Sequence, residues 1–335
     1  MTERPVVSAT SEAPCRADFA GGTLDIWPLG VLHPGSLTVN AAIPVTVHLT
    51  VDLGAPEGEV QHSVGASRTK ALTSADASTD LTAAVVFFFR PQGGVRVRVE
   101  SQASVGSGLG GSSAYAVALS RGLLGVTGTE VPDERLVPVL RDLEARVLRA
   151  PTGVQDYWSA ITGGVSAIHL EPGGERIERL DVDPGWVGER ATVFDTGISH
   201  HSGMVNWQII RRRLEGERAT IDALEAIAGA ATDCCSSLVA GDAAGVARAM
   251  SEEWTHRRRL APEVSPVELV EIERAAAVAG AAAFKACGAG GGGSVLLWHA
   301  PESRDAIVAA LRTAAPDGRV VATGIAGRGC RVTLT

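Results

Sequence analysis

Hydrophobic and polar positions alternate most clearly at residues 36–53 and 95–99. The first stretch is rich in Val and Thr with runs of period two, which predicts a strand; Val95-Arg-Val-Arg-Val99 predicts a strand buried on one face. Residues 114–124 and 134–148 follow a helical pattern, and 163–170 and 190–194 predict strands. From Ile221 onward Leu224, Ile227, Ala231, Cys234 and Leu238 recur every three or four positions, the stripe of a packed amphipathic helix. Helical patterns return at 244–254 and 267–278. The chain then closes with a strand at 294–298, a helix at 305–314, and strands at 319–323 and 330–335. Polar residues 55–80 predict loops around one short strand, and residues 1–14 a short frayed lead-in. No repeat of fixed period occurs. The change in pattern at 170–190 places a domain boundary there, giving units 1–180 and 181–335.

Composition narrows the classes. With 335 residues, 45% hydrophobic and 20% charged, the chain can bury a sizeable core. A formal charge of −8 without a long basic run argues against nucleic acid as the main partner, while leaving room for a local patch that binds a small anion such as ATP. No apolar run reaches the length of a membrane helix, and the N-terminus lacks the apolar core of a signal peptide. Five cysteines, an odd number, point to reduced thiols in a cytoplasm. Cys234 and Cys235 have no partner at metal-ligand spacing and read as structural.

Three segments carry chemistry. Val105-Gly-Ser-Gly-Leu-Gly-Gly-Ser-Ser-Ala114 lies between a strand signal and a helix. Its glycines permit backbone conformations closed to other residues, and its N–H groups and the following helix N-terminus suit a phosphate. Ser107, Ser112 and Ser113 add hydroxyls. The Lys-Ser/Thr pair of a Walker A loop is missing, and no dinucleotide fingerprint is present; a flexible linker is the alternative. The second segment, Lys285-Ala-Cys-Gly-Ala-Gly-Gly-Gly-Gly-Ser294, carries a cost in chain entropy. Close backbone approach to a ligand or to the first glycine loop explains it, with a tight turn between strands as the alternative. The third segment, residues 13–25, contains Arg16 and Asp25, which by themselves need be no more than a surface pair.

Together, and in the chain order 13–25, 105–114 and 285–294, the three segments resemble the first, second and third motifs of the GHMP kinases (galactokinase, homoserine kinase, mevalonate kinase, phosphomevalonate kinase). Within that family they are most similar to bacterial heptose-phosphate 1-kinases and fucokinase-like sugar kinases. The features that carry this are Phe19-Ala-Gly-Gly22 with Asp25, Gln155-Asp156-Tyr157, and Thr196-Gly-Ile-Ser199 followed by Ser202, Gly203, Asn206 and Trp207. The resemblance implies an α+β protein of two domains: an N-terminal ribosomal-S5-like α/β domain with a left-handed crossover, and a C-terminal ferredoxin-like α+β domain. It also implies ATP- and Mg²⁺-dependent phosphorylation of a hydroxyl, at the anomeric position of a sugar or sugar phosphate, by a monomer or homodimer.

The resemblance assigns roles residue by residue. Gly106, Ser107, Gly108, Leu109, Gly110, Gly111, Ser112 and Ser113 would cradle the ATP phosphates. Ser112, with Ser113 as fallback, and Glu144 would hold Mg²⁺, an ion that prefers oxygen ligands and keeps several waters; a solvated helix face is the plainer alternative for Glu144. Asp156, expected in a loop after the 134–148 helix, would take the acceptor proton. Arg16 beside it would keep it ionised and offset charge on the transferred group. Asp25 would bind a sugar hydroxyl, with Thr23, His33 and Tyr157 as neighbours and Gly290 and Gly291 also facing the acceptor. His200 and His201 are candidates for an anionic group of the substrate, or surface residues. Arg257, Arg258 and Arg259 are candidates for a substrate phosphate, or a solvated helix end. Cys287 is expected to be a packing residue below the 285–294 glycine segment. Cys15, Leu24 and residues 26–29 depart from the heptose-kinase pattern near the acceptor. Competing readings are a GHMP kinase for a non-sugar alcohol, a non-catalytic nucleotide- or sugar-binding regulator on the same fold, and a nicotinamide dehydrogenase, which the missing fingerprint disfavours.

Overall fold

A computed structural model describes residues 8–101, 106–198, 203–288 and 290–335. The first part of the chain supplies β1 (Ser8–Ala20), β2 (Leu37–Ala55), β3 (Val60–Val64), β4 (Lys70–Leu72), α1 (Leu81–Phe89), β5 (Gly94–Ser101), α2 (Gly111–Thr127), α3 (Asp133–Leu148), α4 (Gln155–Thr162), β6 (Val165–Glu171) and β7 (Gly174–Arg179). These strands form one sheet in the order β1-β2-β5-β3-β4, with β6 pairing β2 and β7 pairing β6. The length of β2 makes this possible. One of its edges carries β1, and the other is shared by β6 along 37–41 and β5 along 47–55. Pro44 has no N–H to give a ladder, and the β1–β2 register shifts where it lies, between Pro14 and Cys15.

The lead-in expected at 1–14 is corrected for residues 8–14, which belong to β1. Ala9, Ser11 and Ala13 are buried on one face while Thr10 and Glu12 turn outward. Backbone pairing to β2 thus holds a segment whose polar residues hid its period of two. Residues 55–80 hold two short strands, β3 and β4, instead of one. Helix α1 is almost wholly apolar and so shows no helical period; Asp80 caps it by accepting N–H bonds from Thr82 and Ala83.

The rest supplies α5 (Pro184–Arg190), β8 (Ala191–Asp195), α6 (Gly203–Leu214), α7 (Arg218–Val239), α8 (Ala243–Leu260), α9 (Val267–Val278), β9 (Ala281–Ala286), β10 (Ser294–His299), α10 (Arg304–Ala314), β11 (Arg319–Ala322) and β12 (Arg331–Leu334). The second sheet runs β11-β8-β10-β9 with every pair antiparallel. Numbered within this sheet the order is fourth, first, third, second, with helices after the first and third strands, which is the ferredoxin-like arrangement. The last strand, β12, leaves this part and pairs β1 at the edge of the first sheet. Phe19 of β1 meets Trp298 of β10 edge-on at 5.9 Å, and Trp186 of α5 meets the same ring at 5.4 Å, so one aromatic seam joins the sheets.

Candidate active site

The phosphate loop turns on left-handed glycines: Gly106, Gly108 and Gly110 have φ of 76°, 72° and 72°, and α2 begins at Gly111. Its carbonyls are occupied from behind. Arg16 donates from its backbone to Leu109 O (3.0 Å) and from Nη1 to Gly108 O (2.6 Å), and Ser294 N–H donates to Ser107 O (2.8 Å). The late glycine segment packs directly on this loop. A Cβ at Gly293 would lie 2.8 Å from Ser107 O, and one at Gly288 3.1 Å from Gly108 O. Close approach to the first glycine loop therefore accounts for these glycines. Of Gly290 and Gly291, expected at the acceptor, the structure shows the packing side: Gly291 N–H donates to Val264 O (2.8 Å), and a Cβ on Gly290 would press on Val264. Thr196 secures the same segment, its hydroxyl donating to Gly293 O at 2.7 Å.

Asp156 lies in the first turn of α4 and not in the expected loop. The buried Arg16 of β1 grips its Oδ1 through Nε (2.7 Å) and Nη2 (2.6 Å). Burial works against the Arg16 charge, but Asp156 and Asp18 outweigh it, so its pKa stands above the ordinary arginine value. Asp156 remains 24% exposed, open enough to meet a ligand. A Cβ on Gly110 would lie 2.9 Å from Asp156 Cγ, so the carboxylate sits directly against the phosphate loop. Asp25 is buried at the start of α4, where its Oδ2 accepts the N–H groups of Val154 (2.8 Å) and Gln155 (3.0 Å). Gly153 is glycine because a Cβ there would overlap Asp25. Burial drives the Asp25 carboxyl up to about 6, against the pull of these two N–H groups.

Glu144 points inward from α3 and is buried; it is not a solvated helix face. Its Oε2 accepts the hydroxyls of Ser113 (3.0 Å) and Tyr157, and Ser112 bonds the same carboxylate. Burial raises the Glu144 pKa, and these hydroxyls oppose the rise only in part. Tyr157, expected beside the acceptor, is corrected: its ring is fully buried and its hydroxyl turns to Glu144. Among the described residues no three His, Cys, Asp or Glu side chains gather as a metal cage. The donors that do meet, two serine hydroxyls and one carboxylate, are all oxygen, a set that fits a hard cation such as Mg²⁺.

Arg257, assigned above to a substrate phosphate or a solvated helix end, is neither. It is buried, bonds Glu253, and donates to Thr23 Oγ1 at 3.2 Å. Arg258 instead pairs with Glu273 (3.0 Å) over the Trp254 ring, and Arg259 donates to His256 (3.3 Å). His33 accepts from Arg213 Nε at 3.0 Å; burial first, then this guanidinium, lowers its pKa. His200 and His201 lie outside the described residues. Cys287 is buried beneath the late glycine segment, with its thiol pushed up to about 12 by burial, and Cys15 beside Arg16 is pushed up equally by the same cause. Sequence reasoning missed Asp18, Glu253 and Lys285. The available signals were the position of Asp18 two residues after Arg16, on the same strand face, and the i,i+4 spacing of Glu253 and Arg257. A cavity of about 440 Å³ bordered by Glu12, Pro14, Pro44 and Arg331 shares no residue with the site.

A glycine loop feeding a helix, a carboxylate–guanidinium pair against that loop, and a serine–glutamate oxygen cluster are the parts that phosphoryl transfer calls for. Family comparison gives the class. The GHMP kinases N terminal domain matches residues 79–164, and the GHMP kinases C terminal domain matches residues 234–317. The chain belongs to the GHMP kinase family and is a kinase of that class. The chain is 22% identical over 321 residues to the D-glycero-alpha-D-manno-heptose 7-phosphate kinase of Campylobacter jejuni, covering 90% of this chain and 92% of that protein. It is 28% identical over 246 residues to the mevalonate kinase of Thermococcus onnurineus, covering 71% and 69%. The crystal structure of a D-glycero-D-manno-heptose 1-phosphate kinase from Bacteroides thetaiotaomicron shares the fold, with TM-score 0.76 at 20% identity over 97% of this chain and 98% of that one.

Proposed function

We propose that the protein transfers the γ-phosphoryl group of Mg-ATP to the anomeric hydroxyl of a sugar or sugar phosphate. The observation that carries this reading is the Arg16 bridge, which holds the Asp156 carboxylate and the Gly108 carbonyl with one guanidinium and so sets a base against a phosphate cradle. The positive-φ glycines and the N-terminus of α2 would receive the ATP phosphates. Ser112, Ser113 and Glu144 would hold Mg²⁺, which neutralises phosphate charge when bound. Asp156 takes the proton of the acceptor hydroxyl as that oxygen bonds phosphorus; the bond from phosphorus to the β–γ bridging oxygen breaks, and ADP leaves. Asp25 orients the acceptor through one of its hydroxyls.

A sugar acceptor is supported by the names of the Campylobacter and Bacteroides relatives and by the greater share of this chain that the former covers. The mevalonate kinase relative favours a non-sugar alcohol as the second reading. Five free cysteines support a reducing compartment, and no helix among the described residues is long and apolar enough to cross a membrane. The test is coupled ADP release with Mg-ATP across free and phosphorylated hexoses and heptoses, uronic acids and cyclitols, with mevalonate and homoserine alongside. Turnover of a sugar, with an anomeric phosphate in the phosphorus NMR spectrum, is expected. Turnover of mevalonate alone would select the second reading. ATP binding with silence across the panel would select a regulator.

A further inference from the structure

Apart from the reacting groups, four ionisable side chains are packed together without access to solvent: Asp18 of β1, Glu253 and Arg257 of α8, and Lys285 of β9. Lys285 Nζ lies 2.9 Å from Asp18 Oδ2 and 3.2 Å from Glu253 Oε1. Arg257 bonds Glu253 Oε1 through Nε (2.9 Å) and Nη2, and its Nη2 lies 3.6 Å from Asp18 Oδ2. Two cations match two anions, so the cluster is neutral. Stability alone is a weak reason for such a cluster, since well-packed apolar side chains serve a core as well or better.

The remaining nitrogen of Arg257 gives a stronger reason. Nη1 donates to Thr23 Oγ1 (3.2 Å) and to Gly288 O (3.1 Å). Thr23, with φ of 77°, lies in the turn that leads to Asp25. Gly288 is the residue that packs on Gly108 of the phosphate loop, and its N–H also donates to Asp18 Oδ1 at 3.2 Å. Gly22 leaves room for the guanidinium: a Cβ there would lie 2.6 Å from Arg257 Nη2 and 2.7 Å from Asp18 Oδ2. One guanidinium thus ties the turn before Asp25 to the glycine segment that backs the phosphate loop.

We propose that Arg257 is a positioning residue, held in place by Glu253 and Asp18, that sets the Thr23–Asp25 turn at its working distance from the phosphate loop. The proposal rests on the reading of Asp25 as the acceptor's ligand. Arg257→Lys keeps the cluster neutral but loses the planar fork. Thr23→Val removes only the hydroxyl, in a side chain of the same shape, and Thr23→Ser retains it.

The first readout needs no substrate. The turn is closed by Leu24 N–H on Gly21 O and Ile26 N–H on Thr23 O, both 3.2 Å. In Arg257→Lys and Thr23→Val, hydrogen exchange at these two amides is expected to rise about tenfold, the scale of one lost hydrogen bond, with α2 unchanged and Thr23→Ser near wild type. The second readout is kinetic, with D-glycero-D-manno-heptose 7-phosphate as acceptor probe. The acceptor KM is expected to rise about tenfold while the KM for ATP stays within about twofold. Unchanged exchange at Leu24 and Ile26, or ATP and acceptor KM rising together, overturns the proposal. If Arg257→Lys does not fold, Thr23→Val decides. If the wild-type protein turns over no sugar, that failure belongs to the sugar-kinase reading, and the exchange data alone judge Arg257.

Discussion

Asp18 lies on β1 against Lys285 and Arg257, whereas Asp25, past the Gly21-Gly22 turn, lies against the backbone N–H groups of Val154 and Gln155. Both carboxyls are buried, and burial is the largest influence on each, pushing toward the protonated form. At Asp18 the cations Lys285, Arg257 and Arg16 overcome it, and the pKa falls below its ordinary value. At Asp25 two N–H groups do not overcome it, and the pKa rises to about 6. The cluster around Asp18 is closed and charge-matched; the neighbourhood of Asp25 is short of positive charge. Burial is common to both, so the count of nearby cations separates a carboxylate that holds the fold from one left with unmet capacity toward a ligand.

The sharpest way to break this contrast is to neutralise one carboxylate in each region. Asp156→Asn should lower kcat by roughly 10²–10⁴ if this carboxylate is the proton acceptor, with the smaller loss in urea unfolding, because Asp156 is 24% exposed and water reaches the pair it makes with Arg16. Asp18→Asn should do the reverse in kind. It leaves two buried cations facing one anion, a change that costs about 3–5 kcal/mol of stability in the same unfolding measurement. If Asp156→Asn keeps near-wild-type turnover, or Asp18→Asn unfolds like wild type, the division between working and closed charge is wrong.

The contrast between Asp18 and Asp25 also has a pH signature. The fold favours protonated Asp25, so this group's contribution is full below its unfolded value of 3.8 and is lost as pH rises through about 6. The shift corresponds to about 3 kcal/mol. Asp18 has the opposite sign, its contribution being lost as pH falls through its lowered folded pKa. Asp25→Asn removes the Asp25 term and leaves the other carboxylates in place. The stability of this variant relative to wild type should therefore climb between pH 4 and 6 and level off above, while acceptor turnover falls. Urea titrations at several pH values check this; a difference that is flat with pH removes the claim that Asp25 carries the cost of an ionised buried carboxyl.

Much of this site was legible in the sequence because backbone chemistry writes itself there. The glycines of 106–111 and 288–293 announce positive φ and close approach, and Asp156 with Arg16 came from motifs whose order is specific. The later part of strand β2, from Pro44, and helix α7 showed their periods because each buries one face. What stayed hidden depended on contacts between distant segments. Asp18, Glu253, Arg257 and Lys285 are spread over three elements, and no local pattern says that their charges cancel. Tyr157 and Gly290 carried a motif position, but the direction each faces is set by α3 and by Val264. The first residues of β1 were obscured because a strand paired on both edges tolerates polar side chains on its outer face.

Glu144 extends the comparison to a third buried carboxylate and predicts the smallest effect. Its bonds come from the hydroxyls of Ser112, Ser113 and Tyr157, and burial leaves its pKa raised. Unlike Asp18, it therefore has unmet capacity for a cation; unlike Asp25, it lies behind the serines that begin α2. A divalent ion arriving with the nucleotide would supply the charge this carboxylate lacks. Glu144→Gln should raise the Mg²⁺ concentration for half-maximal ADP release roughly tenfold, a loss typical of a weakened metal site, with thermal stability equal to or above wild type. Tyr157→Phe removes a hydroxyl from the same carboxylate without altering its charge, and should move the Mg²⁺ dependence less. If both variants lower kcat equally and leave the Mg²⁺ dependence unchanged, Glu144 serves only to fix the serines at the start of α2.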